Sequence, residues 1–469
     1  MSDGQRLIKV EGERLGHIPS FDGLRGIFVL IVVGYHAGLL DKFLGTPIVI
    51  DWFFVASGFL ITTLLLDEKN ATGTVSLKNF YSRRVLRLFP AMYAMLGIFL
   101  LFMIVVKVVA PEAVAEADLW WVEIVAAATY SYYVVAAFLP GRIGLIGHTW
   151  SLTVEEQFYF IWPLLLNRTL KKATRRNDRN LIVGAVVFIV VMVFLRVRLN
   201  YMIEFNPTNV GRFIDEGNVT WQGVVYRCAA VRPDMIVLGC LTAFVARAIP
   251  RPVPQHVLRL LAWLGPIGWL LFIAILVGAG RFPGFGLFGG PVYQLALFAL
   301  APITLDLFFR PQTVYGRALA WQPFRYLGAR SYGIYLWHIP VALPFLGIID
   351  ESYGAKKYAV GLVVTVLGVL AGMASFRFVE KPFLRLKETK FRKPEEKAAD
   401  LAAATDRQQA PALELFDGTE PMSEFGIGEP DRHQHGFEQH GFEQHRGGHH
   451  GPVEDAAPPQ PADNEGNGT

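Results

Sequence analysis

The sequence has little charge and almost no cysteine. Asp, Glu, Lys and Arg together make up 18% of the 469 residues, whereas 52% are hydrophobic, and the mean hydropathy is +0.35. A chain so poor in charge prefers lipid to water, which predicts a polytopic membrane protein. Its two cysteines, Cys228 and Cys240, lie in one apolar run. Because a helix would separate them by about 18 Å, no disulfide is expected between them.

The sequence also lacks a cleavage pattern for a signal peptide. It has no soluble region with an apolar core of its own besides the membrane domain. Its polar first 20 residues run directly into an apolar stretch, which we expect to be the first span. From about Arg392 the chain is rich in Ala, Glu, Pro and Gly without apolar periodicity, which predicts a disordered cytoplasmic tail. The predicted domains are an N-terminal cytoplasmic segment, a membrane domain and the tail, at 1–20, 21–385 and 386–469.

The tail contains repeated HGFEQ units and several histidines. This composition is compatible with loose binding of a divalent metal, but a solvated low-complexity segment without a ligand is the better-supported interpretation. No metal cofactor is expected. The net charge of +4 does not indicate a nucleic-acid partner, because the basic residues lie in short loops between apolar runs.

Apolar runs long enough to cross the lipid bilayer recur through the first 380 residues. Ten of them are predicted spans, at 23–41, 47–66, 88–110, 148–166, 181–199, 226–247, 260–278, 291–309, 331–349 and 358–379. The apolar stretch from Leu119 to Leu139 is interpreted as external or partly inserted, because a span there would put the basic block "NRTLKKATRRNDRN" opposite the other basic loops. The predicted fold class is an all-α polytopic membrane protein with about ten helices and both termini in the cytoplasm.

Two ionisable residues stand in the first span, "FDGLRGIFVLIVVGYH". Arg25 and His36 are eleven residues apart, so they share one helical face and differ in depth by about 16 Å. A neutral imidazole at mid-depth can serve as a general base or a nucleophile. Alternatively, Arg25 only reaches the lipid headgroups while His36 bonds a neighbouring backbone group.

The second span, "DWFFVASGFLIT", contains an acid and a pair of small residues. We expect Asp51 to reach His36 across a short external hairpin. Ser57 is a candidate site residue, although small residues in membrane helices, such as Ser57 and Gly58, more commonly permit close packing.

Three arginines, Arg83, Arg84 and Arg87, stand in "FYSRRVLRLFP" at the start of the third span. Anchoring at the cytoplasmic side explains any such cluster. The spacing adds a second interpretation, because Arg84 and Arg87 are three residues apart on one face, an arrangement suited to phosphate groups.

The fourth span, "GHTWSLTVEEQFYFIWPLL", contains adjacent carboxylates. Ser151 and Glu155 are four residues apart and share a face, and His148 lies about two turns before Glu155 on the same side. Intramembrane carboxylates such as Glu155 and Glu156 usually serve a proton, an ion or a substrate.

Two later segments are also polar. In "YRCAAVRPD" we expect Arg232 and Asp234 to neutralise each other locally. In "GARSYGIYLWHIP", Tyr335 and His338 stand together in the ninth span, although a lone histidine such as His338 more often serves packing. The candidate substrate contacts are Ser57, Arg232, Asp234, Tyr335 and His338.

Taken in order, these segments resemble the acyltransferase-3 family of integral membrane acyltransferases in its stand-alone ten-span form, over nearly all of residues 20–385. The matching pieces are Arg25/His36, "FFVASGFLIT", "RRVLRLFP", Ser151/Glu155, Arg232/Asp234, "SYGIYLWHIP" and "VEKP". The resemblance implies transfer of an acyl group, typically acetyl from cytoplasmic acetyl-CoA, to a hydroxyl of a cell-envelope carbohydrate or glycolipid. It also implies a multi-pass protein of the inner (plasma) membrane.

The resemblance makes Arg25 and His36 an essential pair, and Ser151 and Glu155 a second site. We expect His36 to act as general base on the acceptor hydroxyl or to carry the acyl group transiently, with Glu155 orienting the imidazole or moving the proton. Asp51 completes the predicted catalytic group.

The same reasoning assigns binding roles. The CoA phosphates are expected at the cytoplasmic mouth, held by Arg25, Arg83, Arg84 and Arg87. Tyr335 or Ser57 would donate a hydrogen bond to the oxyanion of the acyl carbon.

Two features of the resemblance leave alternatives open. Some family members carry a fused extracytoplasmic domain, so either the ten-span unit acylates its acceptor directly or a separate extracytoplasmic transferase completes the reaction. A transporter or channel is the alternative function, in which the same intramembrane charges form a proton or ion relay. The lack of internal repeats favours the enzyme over the transporter. A scaffold that recruits partners through its tail is a weaker third hypothesis.

Overall fold

The computed structural model describes most of the chain up to residue 391. The described residues are 7–10, 16–40, 46–114, 117–139, 142–172, 174–204, 224–225, 228–229, 231–278, 294, 297–352 and 354–391. The predicted tail therefore lies outside them from residue 392 onward.

The described residues form helices and no strand. The α-helices, numbered in chain order, are α1 (Pro19–His36), α2 (Pro47–Thr72), α3 (Leu77–Val109), α4 (Trp120–Ala128), α5 (Tyr132–Phe138), α6 (Thr149–Lys171), α7 (Arg175–Glu204), α8 (Asp234–Ala248), α9 (Gln255–Gly278), α10 (Leu300–Phe309), α11 (Val314–Leu319), α12 (Gln322–Gly328), α13 (Ser331–Ala342), α14 (Leu346–Glu351), α15 (Gly354–Ser375) and α16 (Lys381–Phe391). A 3₁₀ turn, Leu343–Phe345, joins α13 to α14, and a π-helical turn, Phe376–Glu380, joins α15 to α16.

Six helical segments among the described residues are long and apolar enough to cross a membrane. They are Pro47–Thr72, Leu77–Val109, Arg175–Arg198, Gln255–Gly278, Ser331–Ile349 and Gly354–Leu386. The predicted class, an all-α polytopic membrane protein, is confirmed. The number of ten crossings and the side of the termini stay predictions.

The apolar stretch from Leu119 to Leu139 does not form one helix. It divides into α4 and α5, of 9 and 7 residues, with Tyr130 between them at φ +50°. Neither helix approaches the roughly 20 residues that a span needs. The Glu123 carboxylate accepts the backbone N–H groups of residues 144–146 at 3.0 to 3.1 Å, so α4 holds the turn that leads into α6.

Helices α2 and α8 cross with no side chain between them. A Cβ added to Gly58 would lie 1.9 Å from the carbonyl oxygen of Ile236, and one added to Gly239 would lie 2.1 Å from that of Val55. Such an approach is open only to glycine. Gly58 therefore serves close helix packing, and the neighbouring side chains of α2 are held at a fixed depth.

The expected pairing of Arg232 with Asp234 is wrong. Arg232 donates from Nε to Asp51, and Asp234 accepts from both terminal nitrogens of Arg196 at 2.6 and 2.7 Å. All four side chains are fully buried. Arg232 precedes α8 with φ +50° and Asp234 opens it, and residues two apart near a helix do not face each other.

These two ion pairs tie helices together. Asp51 links α2 to the segment before α8, and Asp234 links α8 to α7. The expected contact of Asp51 with His36 does not form, because the Asp51 carboxylate faces Arg232 instead. Asp51, Arg232 and Asp234 are thereby placed in the framework that holds the site.

The N-terminal segment lies against the start of α7. The backbone N–H groups of Leu7 and Ile8 donate to the Asp178 carboxylate at 3.1 and 3.0 Å. Asp178 belongs to the basic block that is predicted to be cytoplasmic, so the N-terminal segment lies at the same end of the helices. At the other end of the described chain, α16 continues to Phe391, past the predicted domain boundary at 385.

Candidate active site

A cavity of about 330 Å³ is lined by residues of α1, α2, α3, α6 and α13. Its polar lining consists of Arg25, Ser57, Asp67, Arg84, Arg87, Ser151, Glu155, Tyr159, Ser331, Tyr332 and Tyr335. The fold thus brings together residues that the sequence singles out one span at a time. We call this space the arginine cavity.

Three arginines give the cavity its positive charge. Within the described part of the chain, neither Arg84 nor Arg87 forms an ion pair, and Arg25 is 3.4 Å from the Asp22 carboxylate. The Arg84 guanidinium lies over the ring of Tyr159, 4.3 Å from its centroid. Stacking holds the guanidinium by its face and leaves its N–H edge for an anion. The cavity is therefore suited to a phosphate-bearing ligand.

Arg83, which is expected to share this role, is not brought to the cavity. Its Nη2 lies 3.4 Å from the Glu68 carboxylate on α2. Successive residues of a helix diverge by about 100°, so Arg83 departs from Arg84, whereas Arg87 returns to nearly the same face.

Glu155 faces into the cavity through a short hydrogen-bond chain. Ser57 donates from Oγ to the Glu155 carboxylate at 2.9 Å, and Tyr159 donates from its hydroxyl to Ser57 Oγ at 3.0 Å. The expected contact between Glu155 and the His36 imidazole does not form: the Glu155 carboxylate accepts from Ser57, whereas Nδ1 of His36 faces Val32 and His338. Glu155 belongs instead to the cation-lined part of the site.

Ser151 and Tyr335 close one end of the arginine cavity. Their hydroxyl oxygens are 2.7 Å apart, and the Tyr335 hydroxyl donates to the His148 carbonyl oxygen at 2.8 Å. Both residues line the cavity. Their other contacts lead directly to a group of histidines.

Three histidines form a second region, which we call the histidine cluster: His36 ends α1, His148 directly precedes α6, and His338 lies in α13. The rings of His36 and His338 are 5.1 Å apart between centroids, and those of His338 and His148 are 5.0 Å apart. His338 Nε2 lies 3.3 Å from His36 Nδ1. The cluster adjoins the arginine cavity through Tyr335, whose backbone oxygen meets His338 Nδ1.

A proline inside α13 explains how His148 is held. Pro340 lacks an N–H, so the carbonyl of Leu336, four residues earlier, loses its helical partner. His148 Nε2 is 3.1 Å from that carbonyl oxygen and donates to it. His148 and His338 are both buried, at 5% and 2% exposure.

Helix α1 carries Arg25 to the arginine cavity and His36 to the histidine cluster. His36 is the last residue of α1 and is exposed, and α1 ends there, before the predicted end of the span at residue 41. The close contacts of α1 with α12 fix this placement, since a Cβ added to Gly26 would lie 2.1 Å from the Phe324 carbonyl oxygen.

Several contributors to the site were missed in the sequence. Tyr159 could have been predicted, because it follows Glu155 by four residues on α6 and so shares its helical face. Arg196 could also have been predicted, because an arginine within an apolar run needs a buried partner. Pro340 signals a freed carbonyl four residues earlier, but the sequence does not show which side chain fills it.

The arrangement combines two chemical capacities. Arginines without carboxylate partners bind anionic groups, and an exposed imidazole accepts a proton. Across the described ranges, no group of three or more His, Cys, Asp or Glu side chains is placed to hold a metal ion. The histidine-rich repeats of the tail lie outside those ranges.

Comparison with known proteins identifies the family of the chain. The acyltransferase-3 family model, described as an acyltransferase domain, matches residues 18–377. The chain is 28% identical over 390 residues to the O-acetyltransferase OatA of Staphylococcus aureus strain NCTC 8325 / PS 47, covering 81% of this chain and 59% of that protein. It is 28% identical over 377 residues to the peptidoglycan O-acetyltransferase OatA of Listeria monocytogenes serovar 1/2a, covering 78% and 56%.

A third relative is the putative peptidoglycan O-acetyltransferase YrhL of Bacillus subtilis strain 168, at 27% identity over 380 residues, covering 78% of this chain and 55% of YrhL. The chain therefore spans between 55% and 59% of the length of these curated relatives. No solved structure matches it significantly. The family model begins just before α1 and ends in the π-helical turn after α15, so it includes the arginine cavity and the histidine cluster. The chain belongs to the acyltransferase-3 family.

Proposed function

We propose that this protein is a membrane O-acetyltransferase that moves an acetyl group from acyl-CoA to a hydroxyl of a cell-envelope glycan or glycolipid. The observation that carries the proposal is the junction at Ser151 and Tyr335, where an arginine-lined cavity meets a histidine cluster. The names of the relatives make peptidoglycan the first acceptor to test. The proposed location is the plasma membrane of a bacterial cell.

The arginine cavity supports the choice of donor. Arg84 and Arg87 lie on α3 near its start, in the segment predicted to face the cytoplasm, where acyl-CoA is available. Their guanidinium groups, which form no ion pair among the described residues, suit the phosphates, and the cavity of about 330 Å³ offers space for the thin pantetheine arm. Ser57 and Tyr335 line the cavity, and either hydroxyl can stabilise negative charge on the acyl oxygen once it turns from its present acceptor, which is Glu155 for Ser57 and the His148 carbonyl oxygen for Tyr335.

The histidine cluster supports the proton step. The acceptor oxygen forms a bond to the acyl carbon while the thioester C–S bond breaks. The hydroxyl proton passes to His36 and then to the leaving thiolate, so His36 is regenerated. His36 is the exposed member of the cluster, which makes it the one that an acceptor can approach. Membership in the acyltransferase-3 family favours this reaction over a transporter or channel.

The test is reconstitution of the full chain in proteoliposomes with radiolabelled acetyl-CoA and peptidoglycan fragments. We expect acetyl-CoA consumption and acetylated glycan, both lost in His36→Ala and kept in His256→Ala. His256 is an exposed histidine at the start of α9 that does not line the cavity. Acetyl-CoA consumption that is equal in wild type and His36→Ala would contradict the proposal.

The same experiment tests for a partner. Consumption of acetyl-CoA without acetylated glycan, followed by acetylation when envelope extract is added, would show that a separate extracytoplasmic transferase completes the reaction. Movement of labelled glycan across the bilayer without acetyl-CoA consumption would contradict the enzyme.

A further inference from the structure

The hydrogen bonds of the histidine cluster determine which ring nitrogens carry a hydrogen. In His338, Nδ1 meets the backbone carbonyl oxygen of Tyr335, one turn earlier on α13. A carbonyl oxygen only accepts, so Nδ1 of His338 carries the hydrogen. In the neutral ring Nε2 then holds a lone pair and is an acceptor.

That acceptor faces His36. His338 Nε2 lies 3.3 Å from His36 Nδ1, and His36 Nδ1 lies 2.9 Å from the carbonyl oxygen of Val32. Both groups that face His36 Nδ1, the Val32 carbonyl oxygen and His338 Nε2, are acceptors. His36 Nδ1 must therefore carry the hydrogen and share it between them in a three-centre hydrogen bond. The other tautomer would set a lone pair of His36 against two more lone pairs.

From these contacts we propose that His338 is a positioning residue, whose Nε2, together with the Val32 carbonyl oxygen, holds the proton of His36 on Nδ1 and leaves Nε2 of His36 as the basic nitrogen. This inference deepens the proposed function and rests on it for the catalytic consequence. When His36 takes up a proton at Nε2, its Nδ1–H bond to His338 becomes charge-assisted and strengthens. His338 thus stabilises the protonated form that arises during transfer.

The third histidine does not compete for this role. His148 Nε2 donates to the Leu336 carbonyl, so His148 also holds its hydrogen on the nitrogen that faces a backbone oxygen. Its other nitrogen, Nδ1, is buried without a hydrogen-bond partner among the described residues. His148 packs against the His338 ring, and of these two histidines it is His338 that has a nitrogen within hydrogen-bond distance of His36.

A packing role for His338 makes a different prediction. His338 is buried, and the Cα of Gly368 lies close enough that an added Cβ would be 3.4 Å from the His338 Cα. If His338 served only packing and its bond to Tyr335, asparagine would be the better replacement, because its side-chain amide occupies the position of Nδ1. If His338 serves as an acceptor for His36, glutamine is better, because its amide oxygen reaches the position of Nε2.

The paired variants His338→Gln and His338→Asn therefore separate the two roles. In the proteoliposome assay we expect kcat of His338→Gln to stay within about 3-fold of wild type, while His338→Asn loses about 10- to 100-fold, the range for one hydrogen bond to a charged group. The KM for acetyl-CoA should stay unchanged in both, because His338 does not line the arginine cavity. A kcat for His338→Asn equal to or above that of His338→Gln would overturn the proposal.

A spectroscopic measurement tests the tautomer without relying on activity. Full-length protein with ¹⁵N-labelled histidine is placed in lipid nanodiscs, and the His36 signals are identified by their loss in His36→Gln. We expect an unprotonated Nε2 and a protonated Nδ1 for His36 in the wild type, with a larger share of the other tautomer in His338→Asn, where the Val32 carbonyl oxygen remains as an acceptor for Nδ1. A protonated Nε2 in the neutral wild-type ring, or a tautomer that does not respond to His338→Asn, would overturn the inference. Because this readout needs no acetyl transfer, it stays informative if the proposed function fails.

Discussion

The arginine cavity and the histidine cluster adjoin each other but satisfy their polar groups in different ways. In the cavity, Arg84 and Arg87 have no carboxylate partner among the described residues, so their donors are available to a ligand. In the cluster, a nitrogen of each histidine is met by a backbone carbonyl oxygen. The difference indicates a division of labour, because unpaired cations favour binding, whereas backbone-anchored rings favour a fixed geometry for proton transfer.

The strongest test of this division removes the proton acceptor. His36→Ala should lower kcat by about 10²- to 10⁴-fold, the usual contribution of a general base, and leave the KM for acetyl-CoA nearly unchanged. Steady-state kinetics in proteoliposomes measures both constants, with His256→Ala as the matched control. An increase in KM as large as the loss in kcat would mean that the cluster also binds the donor.

A second test separates the framework from both regions. Asp51→Ala removes a carboxylate from the fully buried Arg232 guanidinium, which should lower the free energy of unfolding by about 3–5 kcal/mol. The measurement is the thermal unfolding midpoint in detergent. The double variant Asp51→Leu/Arg232→Met should recover most of that stability, and failure to recover any of it would contradict a framework role for this pair.

A third test addresses the binding region. Arg84→Gln and Arg87→Gln should each raise the KM for acetyl-CoA by about 10-fold while kcat changes little, because each removes one charge-assisted contact to phosphate. Arg83→Gln is the matched control, since Arg83 lies next to Glu68 and does not line the cavity. Equal effects of all three substitutions would show that the three arginines act through their overall charge alone.

The smallest expected effect concerns the hydrogen bond that orients Glu155. Ser57→Ala removes a donor to the Glu155 carboxylate and should reduce kcat/KM by about 2- to 10-fold, as for one neutral donor. Thr169→Ala, on the same helix as Glu155, is the control, because the Thr169 hydroxyl donates only to the Leu165 carbonyl within its own helix. No change in Ser57→Ala would indicate that Glu155 is oriented by the arginines instead.

Helical periodicity predicts the parts of the site that lie on one helix. The spacing of Ser151 and Glu155 correctly places both on the cavity side of α6, and the spacing of Arg84 and Arg87 does the same on α3. Periodicity also distinguishes Arg83 from its neighbours, although composition alone groups all three arginines together.

Contacts between helices could not be derived from the sequence in the same way. His36 and His338 are 302 residues apart, and Ser57 and Glu155 are 98 apart, so no local pattern pairs them. The expectation for Arg232 and Asp234 failed because nearness in sequence was taken for contact, whereas a left-handed residue at Arg232 sends the two side chains to different helices.

Pro340 changes what a helix-strengthening substitution would do in α13. Proline inside a helix normally weakens it, so Pro340→Ala would be expected to stabilise an isolated segment. Here the new N–H would return the Leu336 carbonyl to the helix and take away the oxygen that anchors His148. Consensus engineering for thermal stability would therefore act against the histidine cluster at this position, because the irregularity in α13 provides the carbonyl oxygen to which the His148 ring is bonded.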